Sequence, residues 1–279
     1  MNLKKRDVKL INHSTQINIS LRDHMATLYG EENRTLASEE IIYPPTRVSD
    51  DGEIEGAYSF RFFYPVENLS PEDSLNEINH DTTFNGTRAA LYQNEFHILD
   101  VPIDKNDIIL DFGSNLGVFS IVIGKLFPQT TIHAFDANPR VCKLVKMNTV
   151  LNGVLNVNIH NLAIGEEELD EVSFWTENDY NTCAIKKEDD AHPKSIGKVR
   201  QTTLESLLNS PLLNIDKVKY AKFDIETAEI PVFNKIFEET PELLEKIEYL
   251  NLEVHGQSEE ANQVREKCKD YYGDKLFLY

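Results

Sequence analysis

The feature that most constrains the fold is a strand, a glycine turn and a helix in direct succession. The run Ile108–Phe112 is almost continuously apolar, as is typical of a strand buried on both faces of a sheet. A turn containing Gly113 and Gly117 follows, and the helical pattern Val118–Leu126 ends just before Pro128. Such a unit is typical of a parallel α/β sheet.

The same alternation of strands and helices continues to the last residues of the sequence. Further strands are predicted at Thr131–Phe135, Val157–Ile159, Val172–Trp175, Val199–Thr202, Lys219–Phe223, Tyr249–Glu253 and Lys275–Leu278, and further helices at 139–152, Thr203–Leu208, Ile230–Phe237 and Glu259–Tyr271. Strands that alternate with helices pair in parallel and carry helices on both faces. We therefore expect a doubly wound, Rossmann-like α/β domain over residues 84–279.

Residues 1–83 follow a different pattern, because they are polar and only weakly periodic. We interpret them as an N-terminal extension of mixed structure. One strand is predicted there, at Tyr58–Tyr64, between Gly56 and Pro65. Whether this extension covers the active site or mediates self-association is left open, and so is the oligomeric state.

Charge and composition exclude several classes of protein. Asp and Glu number 47 against 28 Lys and Arg, a formal net charge of −19, which disfavours nucleic acid as the main partner. Cys142, Cys183 and Cys268 are widely spaced, so neither a disulfide framework nor a zinc site is expected. The N-terminus lacks an apolar signal region, and no apolar stretch approaches the ~20 residues that span a bilayer. We expect a cytoplasmic protein without a membrane span.

The loop after the first strand predicts a cofactor other than a dinucleotide. Dinucleotide-binding loops have the spacing G-x-G-x-x-G, whereas Gly113 and Gly117 have the spacing G-x-x-x-G and follow Asp111. A carboxylate there repels a pyrophosphate and favours a cationic ligand, such as the sulfonium and ammonium groups of S-adenosylmethionine. Asp136, at the end of the second strand, is placed to accept hydrogen bonds from ribose hydroxyls.

Beyond this spacing, an ordered set of segments resembles the FkbM-type S-adenosylmethionine-dependent methyltransferases. The segments are Leu110–Ser120 (LDFGSNLGVFS), His133–Pro139 (HAFDANP), Asn161–Gly165 (NLAIG), Thr202–Leu208 (TTLESLL), Lys222–Glu229 (KFDIETAE) and Leu252–His255 (LEVH). They match in order from about Leu91 to His255. The resemblance implies methyl transfer to a hydroxyl of a sugar, a glycan or a secondary metabolite.

The same resemblance implies a set of cofactor-binding residues. Its members are Glu95 near the methionine part, Asp111, Gly113, Ser114, Asn115 and Gly117 in the loop, Asp136 and Ala137 at the ribose, and Ala163 near the adenine. Three departures from the family are present: Ser114 stands where alanine is usual, and the other two lie at Asp136-Ala137 and at Thr227. Asp136-Ala137 stands where glutamate and proline are usual, and Thr227 replaces a glycine, although a β-branched residue is a poor occupant of a turn with positive φ.

Catalytic residues are expected at the carboxyl ends of the fourth and fifth strands, where the candidates are Asp224, Glu226, Glu253 and His255. A hydroxyl acceptor needs a general base or a metal that lowers its pKa. We predict that His255 is the base, because an unperturbed imidazole titrates nearest neutral pH. Asp224 and Glu226, two residues apart on an extended segment, share one side and orient the acceptor or the base. A divalent cation held by this pair is the less favoured alternative, and no metal ligand is assigned.

Three other functions are alternatives to this prediction. A methyltransferase for nitrogen acceptors usually carries an Asn/Asp-Pro-Pro-aromatic motif after the fourth strand, where this sequence has Asp224–Thr227. A non-catalytic binding module with the cofactor fold is disfavoured because the glycines and the ribose acid are present. A nicotinamide oxidoreductase is disfavoured by the glycine spacing. Because a fold does not determine a function, the first two remain alternatives.

Overall fold

The computed structural model describes residues 36–48, 54–65, 90–176, 183–185, 197–211, 213 and 215–279. In this part of the chain lie twelve strands and five α-helices of defined bounds, and residues 90–92 are also helical. The strands are β1 (Leu36–Val48), β2 (Ile54–Pro65), β3 (Ile108–Phe112), β4 (Thr131–Asp136), β5 (Val157–Asn161), β6 (Ala163–Ile164), β7 (Leu169–Thr176), β8 (Cys183–Ile185), β9 (Gly197–Thr202), β10 (Val218–Phe223), β11 (Ile247–Leu252) and β12 (Leu276–Leu278). The helices are α1 (Val118–Leu126), α2 (Pro139–Leu151), α3 (Leu204–Leu208), α4 (Glu229–Glu239) and α5 (Glu259–Tyr272). Short 3₁₀ turns cover Pro241–Lys246 and Gly273–Lys275.

Six of the strands form a central sheet in the order β5–β4–β3–β10–β11–β12, and every adjacent pair is parallel. The chain moves outward from β3 to β4 and β5, then crosses back and continues through β10, β11 and β12. This is the doubly wound order, and its switch point lies between β3 and β10. The predicted fold class is confirmed.

Helices cover both faces of this sheet. Apolar residues of α1 and α2 pack on one face, and those of α3, α4 and α5 pack on the other. Three of the helices, α2, α3 and α5, have a side-chain N-cap: Asn138, Thr203 and Ser258 each accept a hydrogen bond from a backbone N–H in the first turn. No described helix has both the length and the apolar character that a membrane crossing requires.

An antiparallel hairpin of β1 and β2 lies against α2. The strand predicted at Tyr58–Tyr64 falls inside β2, whereas β1 was not predicted. Two asparagine side chains bind the edge of the hairpin: Asn148 of α2 bonds to the backbone N–H and C=O of Phe63, and Asn152, just after α2, to those of Arg61. Residues 1–35 and 66–89 lie outside the described residues, so the boundary at residue 83 stays a prediction.

A second, four-stranded sheet has the order β6–β9–β7–β8. The strands predicted at Val172–Trp175 and Val199–Thr202 form parts of β7 and β9, and these two pair antiparallel. The sequence therefore predicted these strands but not their separation from the central sheet. The reason is that pairing depends on partners distant in the chain, which a local pattern does not specify.

Candidate active site

The loop between β3 and α1, residues 113–117, is held mainly by backbone hydrogen bonds; we call it the cofactor loop. Gly113 and Gly117 have φ of 76° and 80°, and Asn115 has φ of 47°. The N–H groups of Gly113 and Ser114 both donate to the carbonyl of Phe135, at 3.0 and 3.1 Å. The loop is thus fixed to the end of β4, with left-handed residues where the chain turns.

Gly113 also joins the cofactor loop to the end of β10. A Cβ atom added at Gly113 would overlap the backbone carbonyl oxygen of Asp224, and the N–H of Asp224 donates to the carbonyl of Phe112 at 3.1 Å. The two strands therefore lie in direct backbone contact at the switch point. Only a glycine fits there, because both its φ and its missing side chain are required.

Two buried polar atoms of the cofactor loop have no hydrogen-bond partner among the described residues. They are the Ser114 hydroxyl oxygen and the Asn115 amide oxygen. Buried polar side-chain atoms are rarely left unpaired, and such atoms at a strand-end loop indicate a missing polar ligand. The loop residues thus fit a polar cofactor, independently of the resemblance.

Asp136 lies at the end of β4, with its carboxylate folded back on the backbone. One oxygen accepts from the N–H of Asn115 at 3.1 Å, and the other from the N–H of Asn138 at 2.9 Å. Burial raises the pKa of Asp136 to about 7, although these two bonds lower it. Each carboxylate oxygen keeps a second lone pair for a ligand.

The other predicted cofactor residues surround this loop at different depths. Ala163 is buried beside Phe174 and Val199, and Ala137 packs against the same small cluster. Glu95 is half-buried, and its backbone carbonyl accepts from the Asn251 side chain of β11 at 2.8 Å. Gly117 begins α1, where an added Cβ would meet Val145 at 2.8 Å.

Asp111 and Lys222 form a buried charged pair on neighbouring strands. The hydroxyl of Ser120 donates to one oxygen of Asp111 at 2.6 Å, and the Lys222 ammonium lies 3.7 Å from the other. Lys222 also donates to the Gly113 carbonyl at 3.1 Å and to Asp224 at 3.2 Å. Burial alone lowers the pKa of Lys222, but Asp224 and Asp111 outweigh it and the pKa is raised. Lys222 is therefore a buried cation that binds both strands.

The predicted catalytic residues meet at the carboxyl ends of β10 and β11. The His255 Nε2 atom lies 3.3 Å from Glu226, 3.5 Å from Glu253 and 3.9 Å from Asp224. Its Nδ1 atom lies 3.2 Å from Glu229, in the first turn of α4. We call these five residues the carboxylate–histidine cluster. The structure thus brings Asp224, Glu226 and His255 together, and their catalytic roles stay a prediction.

Two residues of this site, Glu229 and Lys222, were assigned no role from the sequence. Glu229 is fully buried, and its Oε1 atom accepts from the N–H of Ile225 at 2.6 Å. An acidic residue in the first turn of a helix is ordinarily explained by its interaction with the helix dipole. The sequence therefore gave no reason to expect that Glu229 contacts His255. The signal for Lys222 was available, since Lys222 and Asp224 are two residues apart on an extended segment and share a side.

The charge of His255 differs from the sequence-based expectation. Burial alone would lower its pKa, but the hydrogen bond that His255 donates to Glu229 and the charges of Glu229, Glu226 and Glu253 raise it to about 9. The imidazole is therefore protonated at neutral pH in the ligand-free protein, and the premise of an unperturbed histidine is wrong. Burial, together with Asp224, raises the pKa of Glu253 to about 7.

The turn after β10 is strained at two residues. Glu226 and Thr227 both have positive φ, 56° and 76°, so Thr227 retains the left-handed conformation that disfavours a β-branched residue. Strain of this kind persists where the surrounding structure imposes it, and it concentrates at functional sites. Here it accompanies the placement of Glu226 against His255.

The chain is similar in sequence or in structure to several known proteins. A protein named Methyltransferase 1 from Beauveria bassiana (strain ARSEF 2860) is 26% identical over 197 residues, 61% of this chain and 78% of that protein. Among solved structures, a precorrin-6y C5,15-methyltransferase from Geobacter metallireducens GS-15 matches with a TM-score of 0.37 and 9% identity over 65% of this chain and 71% of the other. A coclaurine N-methyltransferase bound to N-methylheliamine and SAH matches with a TM-score of 0.24 and 12% identity over 35% and 30%.

Both structural scores are low, so the fold assignment rests on the strand order and not on these neighbours. The strongest finding is a match to the family model described as the Vibrio cholerae RfbT protein, over residues 75–264. This range includes the cofactor loop and the whole carboxylate–histidine cluster. Because it is more than half of the sequence, the chain belongs to the RfbT family.

Proposed function

We propose that this protein transfers a methyl group from S-adenosylmethionine to a hydroxyl of a sugar, a glycan or a secondary metabolite, as FkbM-type enzymes do. The general class, an S-adenosylmethionine-dependent methyltransferase, is supported by the curated relative and by the RfbT family match. The observation that supports a hydroxyl as the methyl acceptor is the carboxylate–histidine cluster beside the cofactor loop. Asp224 belongs to the cluster, and its carbonyl packs on Gly113 of the loop.

The cofactor is held mainly by the β3–β4 side of the site. When bound, S-adenosylmethionine supplies a methyl group on a sulfonium and leaves as the neutral thioether. We assign the ribose hydroxyls to Asp136, and the unpaired oxygens of Ser114 and Asn115 to polar groups of the cofactor. Ala137 and Ala163 form an apolar surface for the adenine. Asp111, which is fully buried, acts through Ser120 and Lys222 and not by direct contact.

The acceptor is bound on the β10–β11 side. An alcohol becomes a competent nucleophile as its proton leaves, so a group that takes the proton must lie within hydrogen-bond reach. Asp224 and Glu226 provide carboxylate oxygens that can accept this proton. His255, the base in the sequence-based prediction, can do so only after it has lost the proton that it carries in the ligand-free protein. The cluster receives the proton that the acceptor oxygen loses. Most of the rate acceleration then comes from positioning the two substrates.

Calorimetry with S-adenosylmethionine and S-adenosylhomocysteine tests the cofactor half of the proposal. We expect saturable binding, weakened at least ~10-fold, or ~1.4 kcal/mol, by Asp136→Ala. Asp274→Ala, at an exposed aspartate in the 3₁₀ turn before β12, is the matched control and should bind as the parent protein does. The absence of heat with both ligands, from a folded sample, would overturn the proposal.

The acceptor half is tested with radiolabelled S-adenosylmethionine and paired hydroxylated and aminated sugars. Methylation of the hydroxyl compounds is expected, with a large loss of turnover in Asp224→Asn that leaves cofactor binding intact. Asp274→Asn controls for a change of charge elsewhere. Methylation confined to the amines would establish the nitrogen-acceptor alternative instead.

A further inference from the structure

We propose that Asp224, Glu229 and His255 form a binding site for a divalent cation of the Mn²⁺ class. The proposal deepens the proposed function, because the cation would lie where the acceptor hydroxyl is bound. Its test measures cation binding directly and does not require methyl transfer.

The first argument is the distance between possible ligand atoms. One oxygen of Asp224, one oxygen of Glu229 and one ring nitrogen of His255 lie within 4.8 Å of one another. Two ligands bound to one ion at ~2.1 Å lie between ~3 and ~4.2 Å apart. Small rotations of these side chains therefore suffice to bring them onto a common ion.

The second argument is the unpaired oxygen of Glu229. This residue is fully buried, and its Oε1 atom accepts from the N–H of Ile225 and contacts His255. Its Oε2 atom is buried without a hydrogen-bond partner among the described residues. A buried carboxylate oxygen without a partner is costly, because nothing replaces the water it has lost. A cation bound at the cluster supplies that partner.

The third argument is the charge of the cluster. In the described part of the chain, four carboxylates contact His255, those of Asp224, Glu226, Glu229 and Glu253. The cationic groups beside them are His255 and Lys222, and Lys222 also lies near Asp111. Buried charges are stable when they are paired or coordinate a metal. A divalent cation balances the excess of negative charge that these two side chains leave.

The ligand types determine the class of cation and its effect. Carboxylates favour Mg²⁺, Ca²⁺ and Mn²⁺, and an imidazole favours the transition metals, so Mn²⁺ satisfies both. Three protein ligands leave coordination positions for the acceptor oxygen, whose pKa the cation lowers. Binding of the cation displaces the proton of His255 to solvent, so that the neutral imidazole serves as a ligand. The proton of the hydroxyl then passes to the carboxylate of Glu226 or Glu253.

Calorimetric titration of Mn²⁺ into the EDTA-treated full-length protein tests this site. We expect saturable binding that Asp224→Asn and Glu229→Gln each weaken at least ~10-fold. Glu238→Gln is the matched control, since Glu238 is exposed on the same helix, α4. Binding of S-adenosylhomocysteine by each variant verifies that its fold is retained. The absence of saturable Mn²⁺ binding, or binding that neither variant changes, would overturn the inference.

Electron spin-echo spectroscopy of bound Mn²⁺ tests the imidazole ligand separately. A ¹⁴N coupling is expected in the parent protein and is expected to disappear in His255→Gln. Its absence from the parent would exclude His255 as a ligand and overturn the site as proposed. The two proposals fail independently: a protein that binds S-adenosylhomocysteine but not Mn²⁺ contradicts only the cation site, and one that binds Mn²⁺ but neither cofactor form contradicts only the methyltransferase.

Discussion

The two sides of the switch point between β3 and β10 are built differently. On the β3–β4 side, backbone groups hold the site: the N–H groups of Gly113, Ser114 and Asn115 bond to Phe135 and Asp136. On the β10–β11 side, charged side chains hold it: Lys222 bonds to Asp224, and His255 contacts four carboxylates. The geometry of the backbone-bonded side depends on residues that can adopt the required φ. The geometry of the charged side depends on which charged side chains are neighbours in space.

Because of this difference, some substitutions should affect both sides of the site and others only one. Gly113 and Lys222 belong to both sides, because Gly113 packs on Asp224 and its carbonyl accepts from Lys222. Asp136 belongs to the cofactor side alone. Changes at the shared residues should therefore disturb both ligands, and a change at Asp136 should disturb one.

The largest effect is expected from Lys222→Met, which removes the shared cation. Asp111 and Asp224 then lose their buried partner, and breaking a buried ion pair costs about 3–5 kcal/mol of the free energy of unfolding. Chemical denaturation measures this loss. Lys217→Met removes an exposed lysine that pairs with Glu248 just before β10, and little change is expected there. Equal stability of the two variants would show that Lys222 does not join the two sides.

A slightly smaller effect is expected from Gly113→Ala. The added methyl group overlaps the Asp224 carbonyl, and the left-handed φ is unfavourable for alanine, so we expect a loss of about 2–5 kcal/mol of the free energy of unfolding. Gly153→Ala is the matched control, since Gly153 has φ of 64° and an added Cβ meets nothing within 4 Å. It should lose only the conformational part, about 1–2 kcal/mol. Equal losses would contradict close contact at the switch point.

The smallest effect concerns Asp136 and the cofactor side alone. Because its pKa in the ligand-free protein is raised to about 7, the carboxyl is increasingly protonated as the pH falls below that value. A ligand that binds the ionised form then loses affinity by about 10-fold, or about 1.4 kcal/mol, for each pH unit. Calorimetry with S-adenosylhomocysteine between pH 5 and 8 measures the slope. Asp136→Asn should remove it, and an identical slope in that variant would assign the dependence to another group.

Local pattern was sufficient for most individual elements of the central sheet. The helix Val118–Leu126 was predicted with the bounds that it has, and the helix predicted at 139–152 ends one residue earlier. The strand β1 and the separate sheet of β6, β9, β7 and β8 were not predicted, because both depend on pairing between distant segments. The docking of β2 on α2 likewise depends on Asn148 and Asn152, whose polar side chains gave no signal of burial.

The candidate site divides in the same way. Asp224, Glu226 and His255 were grouped from the sequence because parallel strands end at one edge of a sheet. Glu229 was missed because it begins a helix and follows a turn in which Glu226 and Thr227 have positive φ. The protonated state of His255 was missed because it depends on three carboxylates, those of Glu226, Glu229 and Glu253, which only the fold brings to the imidazole.

The sequence by itself determined what depends on near neighbours in the chain. It determined the alternation of strands and helices, the glycines that the cofactor loop requires, and the order of residues at each strand end. The tertiary structure decided what depends on neighbours in space: Lys222 donates to a carbonyl 109 residues earlier in the chain, and this contact joins the two sides of the site. Steric limits set the backbone conformation locally. Ion pairs and pKa values depend on charged groups that only the fold brings together.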